Sequence, residues 1–312
     1  MDASWIETEP LGREIAQLGS LSLTPPWPWG QWLYGRMLER VLPIVPGDIV
    51  ECGVAKGGMT LFLGHVGQRH GRRVYALDSF VGLPEPNPRL DNPYFQEGDY
   101  SPREDKGSLV KRLHDAIRAR RLQGTVEVVS GFFAETLGTL PKGPLSFVHI
   151  DADLYHSVHS CLEALWSRIS PGGLLAIDDF FHHAQGPARA AGTFFRRSGE
   201  RVLYHVVFPY SVVILKGESV QPARHRSLDG NYYSLDLLRE DVFLRNAIQT
   251  SLETARSNAN ARIVCNADRL VRLLQPDVCE HSSDIYEYFR ALEDYWDNMD
   301  AERTCPDDHL HI

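Results

Sequence analysis

The sequence predicts an α/β fold: a mostly parallel, seven-stranded sheet with helices on both faces, closed by an antiparallel hairpin. Three observations predict it. From residue 48 short apolar runs alternate with helical stripes, the pattern of strand–helix–strand units whose strands run parallel. VLYHVV (202–207) and SVVILK (211–216) are separated only by Phe208, Pro209 and Tyr210, which makes a hairpin. Two apolar runs stop abruptly in acid, at Asp151/Asp153 in FVHIDADLYHS and Asp178/Asp179 in GGLLAIDDF. In an open α/β sheet, ligands bind at the carboxyl ends of the strands.

The elements follow in order. Residues 20–31 (SLSLTPPWPWGQ) are dense in proline and tryptophan, which predicts an extended segment whose aromatics cover a pocket or anchor the arm. A helix from about Gln31 to Val41 stops before Pro43. DIVECGV is the first strand, and Gly57–Gly58 opens a helix through about His70. VYALD (74–78) is the second strand. The stretch 82–105, rich in Pro, Asn and Asp, is too long for a plain connector and is a lid candidate. Leu109, Val110, Leu113 and Ile117 mark a helix; the Arg118–Arg121 run sits at its end, where cations favour the helix dipole. VEVVS (126–130) and LSFVHID (145–151) are strands three and four. Val158, Leu162, Leu165, Trp166 and Ile169 mark a helix closed by Ser170–Pro171–Gly172–Gly173, and LLAIDD is the fifth strand, leading on to the hairpin. After Gly217 the chain reads as helical and acidic. The stripe Ile285, Tyr288, Phe289, Leu292, Tyr295, Trp296, Met299 suits packing or self-association. The predicted organisation is an N-terminal arm and helix (1–44, a further lid candidate), a main domain (45–217) and a helical extension (218–312).

Composition narrows the class. At 43% hydrophobic and 23% charged, the chain has the make-up of a globular protein with a real core. A net charge of -9 speaks against a general nucleic-acid binder. Five scattered cysteines without a C-x-x-C pair read as reduced thiols in a cytoplasmic protein. The start, MDASWIETEP, lacks the apolar core of a signal peptide, and no apolar stretch reaches membrane-spanning length.

Two neighbouring strands ending in acid would gather four carboxylates around one point. Such a cluster is costly unless a cation, a proton or water offsets the repulsion. A hard divalent ion such as Mg²⁺ on Asp151, Asp153, Asp178 and Asp179 is the simplest resolution. The plainer alternative is a pair of helix N-caps. The turn Glu51–Cys52–Gly53–Val54–Ala55–Lys56–Gly57–Gly58 lets backbone approach a ligand closely, but it does not spell the dinucleotide fingerprint. Asp78, at the end of the next strand, is placed to accept ribose hydroxyls. Glu51 adds an acid that suits an ammonium group better than a pyrophosphate. Together these favour S-adenosylmethionine, an adenosine ligand with an ammonium and no phosphate. The plainer alternative pairs Glu51 with a local Lys or Arg.

With these residues in place, the chain resembles the macrocin O-methyltransferase family. The resemblance rests on GDIVECGVAKGG (47–58), VYALDSFVGLPEP (74–86), VEVVSGFFAETL (126–137), FVHIDADLYHSV (147–158) and ISPGGLLAIDDF (169–180). It implies the class I methyltransferase fold, which ends in such a hairpin, S-adenosylmethionine as donor, and a Mg²⁺ ion that holds the acceptor hydroxyls. By position, Glu51, Gly53 and Gly57 would line the methionine end of the donor. Asp78 and Ser79 would hold its ribose, and Ser130, Gly131 and Phe132 would border the adenine. Asp151 would lie beneath the sulfonium. Asp178 and Asp179 would hold the metal with Asp151 or Asp153. Asp153 is the preferred proton acceptor, and His182 and His183 would face the acceptor or a solvated loop. The sequence has Ala152 where the family usually has glycine, and a long C-terminal extension that leaves the acceptor open.

The expected function is O-methylation of a hydroxylated small molecule, a sugar or another natural product, by a cytoplasmic enzyme of antibiotic or other secondary metabolism, with self-association hinted at by the aromatic stripe. Two other classes stay open: a metal-dependent hydrolase, which would leave Asp78 and the glycine loop unexplained, and a non-catalytic donor-binding scaffold with a partner-docking tail.

Overall fold

The computed structural model describes residues 13, 28–102, 105–180, 186–198, 202–207 and 211–216. The side chains of Trp27, Trp29 and Trp32, together with His182, His183 and the predicted extension 218–312, lie outside the described residues. Seven strands form one sheet: β1 (Asp48–Cys52), β2 (Val74–Asp78), β3 (Val126–Ser130), β4 (Leu145–Ile150), β5 (Ile169–Ile177), β6 (Val202–Val207) and β7 (Val212–Lys216). Their order is β3-β2-β1-β4-β5-β7-β6. The first five pair in parallel, and β7 runs antiparallel to both β5 and β6. This is the predicted α/β architecture.

The strands form because their apolar residues alternate between two cores, one on each face. Ile49, Val74, Ala76, Phe147, Leu174 and Val213 point to the side covered by α1 (Pro28–Val41), α2 (Gly58–Arg69) and α3 (Lys106–Ala119). Val50, Leu77, Val148, Ile150, Leu175 and Ile214 point to the side covered by α4 (Phe133–Thr136), α5 (Tyr155–Leu165) and α6 (Gly186–Ser198). A fully buried Leu or Phe contributes about 1.5–3 kcal/mol, so two such faces are the main source of stability. Cys52 and Cys161 are free, buried thiols within the second core.

Three local expectations are revised. Helix α1 begins at Pro28, inside the stretch predicted to be extended; at a helix's first position the missing proline N–H removes no intrahelical bond. It is also part of the core, because Tyr34, Met37, Leu38 and Val41 are buried against the sheet. Ser170–Gly173, predicted as a turn, lies within β5 as an irregularity, where the register moves from Leu145↔Ile169 to Phe147↔Leu174. Finally, α6 lies between β5 and the hairpin where no helix was predicted. Its buried face is mostly alanine (Ala188, Ala190, Ala191) with Phe195, too small a stripe to stand out in the sequence. No helix among the described residues is long and apolar enough to cross a membrane.

Candidate active site

Strand β1 pairs with β2 on one side and β4 on the other, so the chain's direction of winding reverses between β1 and β4. That switch point opens a crevice at the carboxyl ends of the strands. The pairing extends one step beyond the strands: Gly53 N donates to Leu77 O (2.9 Å), Asp151 N to Cys52 O (2.8 Å) and Asp178 N to Ile150 O (2.8 Å). The glycine loop, Asp151 and Asp178 are thereby fixed along one rim. At Gly53, with φ +98°, a Cβ would stand 1.7 Å from the Asp151 carbonyl oxygen. Only glycine lets these two turns touch. Gly57, at φ +87°, opens α2 and would drive a Cβ to 2.4 Å from Leu113 on α3.

On the donor side, Glu51 is wholly buried. Its Oε2 accepts from Thr60 Oγ1 of α2 at 2.5 Å, while Oε1 has no partner. Burial pushes its carboxyl up to about 8, offset in part by the Thr60 bond and reinforced by Asp78. A buried carboxylate oxygen left unpaired costs free energy that a cationic ligand group would recover. The alternative of a local Lys or Arg partner is not what the geometry shows. Asp78 accepts from Val54 N and Ala55 N (2.8 Å each) and from Phe80 N (2.7 Å). It therefore organises the glycine loop as well as facing the crevice. The Ser79 hydroxyl closes the following turn, donating to Gly82 O at 2.9 Å and accepting from Val81 N at 3.2 Å. Ser130 pairs in register with Asp78, Gly131 N donates to Asp78 O, and Phe132 leaves part of its ring exposed. These positions suit the edge of an adenosine site.

On the acidic side, Asp151, Asp153, Asp178 and Asp179 sit half-buried at the ends of β4 and β5. Burial is the leading cause of upward shifts at three of them, and their mutual repulsion adds to it. Asp151 lies well above the usual carboxylate range, Asp153 is pushed up to about 6 and Asp179 to about 8. Asp179 and Asp153 are hydrogen-bonded to each other, so the more basic Asp179 holds the proton and donates it. Asp178 is bonded differently: Ser211 Oγ donates to its Oδ1. Positive φ falls on Asp153 (55°) and Asp179 (53°), which Asp tolerates better than most residues. It does not fall on Ala152, so alanine in place of the family's usual glycine costs no strain there.

Among the described residues, no group of three or more His, Cys, Asp or Glu side chains stands converged as metal ligands. The donor set still fits a hard divalent ion in kind, because it is all carboxylate oxygen. For the Asp151/Asp153 pair the N-cap alternative is not borne out. Helix α5 is capped at Leu154 with no side-chain bond, and Asp91 supplies an acceptor to Tyr155 N at 2.6 Å instead.

Asp91 was not apparent in the sequence. It is buried at 4% exposure, also accepts from Asn87 N at 2.8 Å, and ties the 82–105 stretch to the start of α5. The base of that stretch is closed by Gly98 N to Leu83 O and Leu83 N to Asp99 O, both 2.9 Å. Tyr94 and Tyr100 are exposed on this stretch, at 82% and 68%. The Tyr100 phenol is pushed up by partial burial first and then by Asp153, Asp179, Asp99 and Asp151, so it stands within electrostatic reach of the acidic cluster.

Known proteins resemble this chain in sequence and in fold. The family model of macrocin-O-methyltransferase (TylF) matches residues 36–202. An 8-demethyl-8-(2,3-dimethoxy-alpha-L-rhamnosyl)-tetracenomycin-C 4'-O-methyltransferase of Streptomyces olivaceus is 38% identical over 44% of this chain and 54% of its own length. A mycinamicin III 3''-O-methyltransferase of Micromonospora griseorubida is 32% identical over 44% of this chain and 56% of its own. The chain thus spans about half the length of the curated relatives it matches. The solved O-methyltransferase NovP superposes with a TM-score of 0.51 at 22% identity, covering 62% of this chain and 82% of NovP, which supports the fold alone.

Proposed function

The chain belongs to the macrocin-O-methyltransferase (TylF) family, and on that premise we propose that it transfers a methyl group from S-adenosylmethionine to a hydroxyl of a small natural product, with a sugar as the favoured acceptor. The observation that carries this reading is the unpaired Oε1 of buried Glu51 under a glycine loop, on the same rim as four carboxylates. The names of the two relatives add support, one specifying a rhamnosyl-bearing tetracenomycin and the other mycinamicin III.

Glu51 pairs with the donor's ammonium, and Gly53 and Gly57 allow the backbone to lie close against it. Asp78 and Ser79 border the ribose, and Ser130, Gly131 and Phe132 the adenine. Mg²⁺, held by Asp178, Asp179 and one of Asp151 or Asp153, would lower the pKa of an acceptor hydroxyl. Asp153 takes the proton from that hydroxyl as it attacks, with Asp151 beneath the transferring methyl. Positioning supplies much of the rate gain, because donor and acceptor are held in line. The enzyme acts in the cytoplasm, without nucleic-acid or membrane partners.

The test is incubation of the full chain with radiolabelled donor and fractionated small molecules. Label is expected in a glycosylated product, and excess EDTA is expected to stop its formation. Full turnover in EDTA would remove the metal from the mechanism. Cleavage of a model phosphoester with no heat of donor binding would overturn the methyltransferase reading.

A further inference from the structure

Tyr34, Ser211 and Asp178 come from α1, the residue ahead of β7, and the end of β5, and they meet behind the acidic cluster. Ser211 Oγ donates to Asp178 Oδ1. A hydroxyl has one proton, so the bond between Ser211 and the Tyr34 phenol must run from Tyr34 O–H to Ser211 Oγ. The chain is therefore directed, from Tyr34 through Ser211 to the carboxylate. Both donors are buried, Tyr34 at 3% and Ser211 at 8% exposure. Packing holds the Tyr34 ring edge-on to His149, with centroids 5.4 Å apart, and tilted against Phe147 at 5.8 Å. Both donors also lie outside the matched residues 36–202.

We propose that Tyr34 and Ser211 are positioning residues that fix the plane of the Asp178 carboxylate, engaging one oxygen so that the other is presented to the reaction. The inference rests on the reading of Asp178 as a ligand in O-methyl transfer. Asp153 and Asp179 constrain each other; Asp178 is constrained from behind, by elements at opposite ends of the described chain. Hydrogen-bonded support of a ligating carboxylate is worth about 10–100-fold in metal affinity.

Manganese binding to the full chain, counted by the loss of the free-ion electron paramagnetic resonance signal, tests this beside calorimetric affinity for S-adenosylmethionine. Ser211→Ala is expected to weaken Mn²⁺ binding at least ~10-fold with donor affinity unchanged, and Ser211→Thr is expected to restore it. Tyr34→Phe keeps the ring packed against His149 and Phe147, so it reports even if Ser211→Ala fails to fold. It should weaken Mn²⁺ binding less, and the double variant should bind no worse than Ser211→Ala, because Tyr34 acts through Ser211. Unchanged Mn²⁺ affinity in Tyr34→Phe and Ser211→Ala, or fully additive losses, would overturn the proposal while leaving the function intact. Absence of Mn²⁺ binding by the unaltered protein would overturn the proposal together with the reading of Asp178 as a ligand.

Discussion

Replacing Asp179 with asparagine is expected to abolish methyl transfer while making the ligand-free protein more stable above pH 8. The Asp179 carboxyl is raised from 3.8 to about 8, chiefly by burial and then by Asp178 and Asp153. Between those values the folded protein holds a proton that the unfolded chain releases, so stability falls as pH rises through that window. Asparagine removes the repelling charge and can still donate to Asp153. Thermal unfolding should show the variant level with the parent near pH 5 and ahead by roughly 1–3 kcal/mol at pH 9. That figure is well below the full linkage, because the neighbouring acids share the proton. Turnover should fall by about 100-fold or more, since a ligand is worth at least as much as the groups that support it. A variant that loses stability at pH 9, or keeps its turnover, would contradict this account of the cluster.

Glu51→Gln should have the second-largest effect, on the donor side. The Glu51 carboxyl moves from 4.5 to about 8 on burial, so it is neutral in the empty site at pH 6.5. Pairing with the donor's ammonium ionises it. Calorimetry in buffers of different ionisation enthalpy should therefore show about one proton released per donor bound at that pH, and donor affinity should rise as pH climbs toward 8. The glutamine variant should release no such proton and bind the donor roughly 10- to 100-fold more weakly. Its ligand-free form should also escape the parent's loss of stability between pH 4.5 and 8, on the order of 3–5 kcal/mol for a group this buried. Equal proton release by parent and variant would remove Glu51 from the donor site.

The parallel strands were legible because each is a short apolar run, and the acids that end those runs fall where the topology needs them. Glu51 was legible for a related reason: an acid within an apolar strand calls for a partner, and the structure leaves one of its oxygens without one. What stayed hidden has a common cause in side chains too small, or too far apart in the chain, to make a pattern. Helix α6 packs through alanines, so its stripe is faint. Asp91 looks like an ordinary loop acid until it meets Tyr155 N. Tyr34 and Ser211 share no local motif, and only the fold brings them to Asp178. The 82–105 stretch is a different case: length and composition identify an irregular segment, but they say nothing of bonds such as Tyr155 N to Asp91 that join it to the helix beyond.

A crystal of the full chain grown with S-adenosylhomocysteine and Mn²⁺ should show the manganese anomalous peak on Asp178 and Asp179 with Asp151 or Asp153, beside the cofactor's sulfur, and the cofactor's amino group on Glu51 Oε1. A peak remote from the nucleoside, or an amino group bound away from Glu51, would contradict this reading of the site.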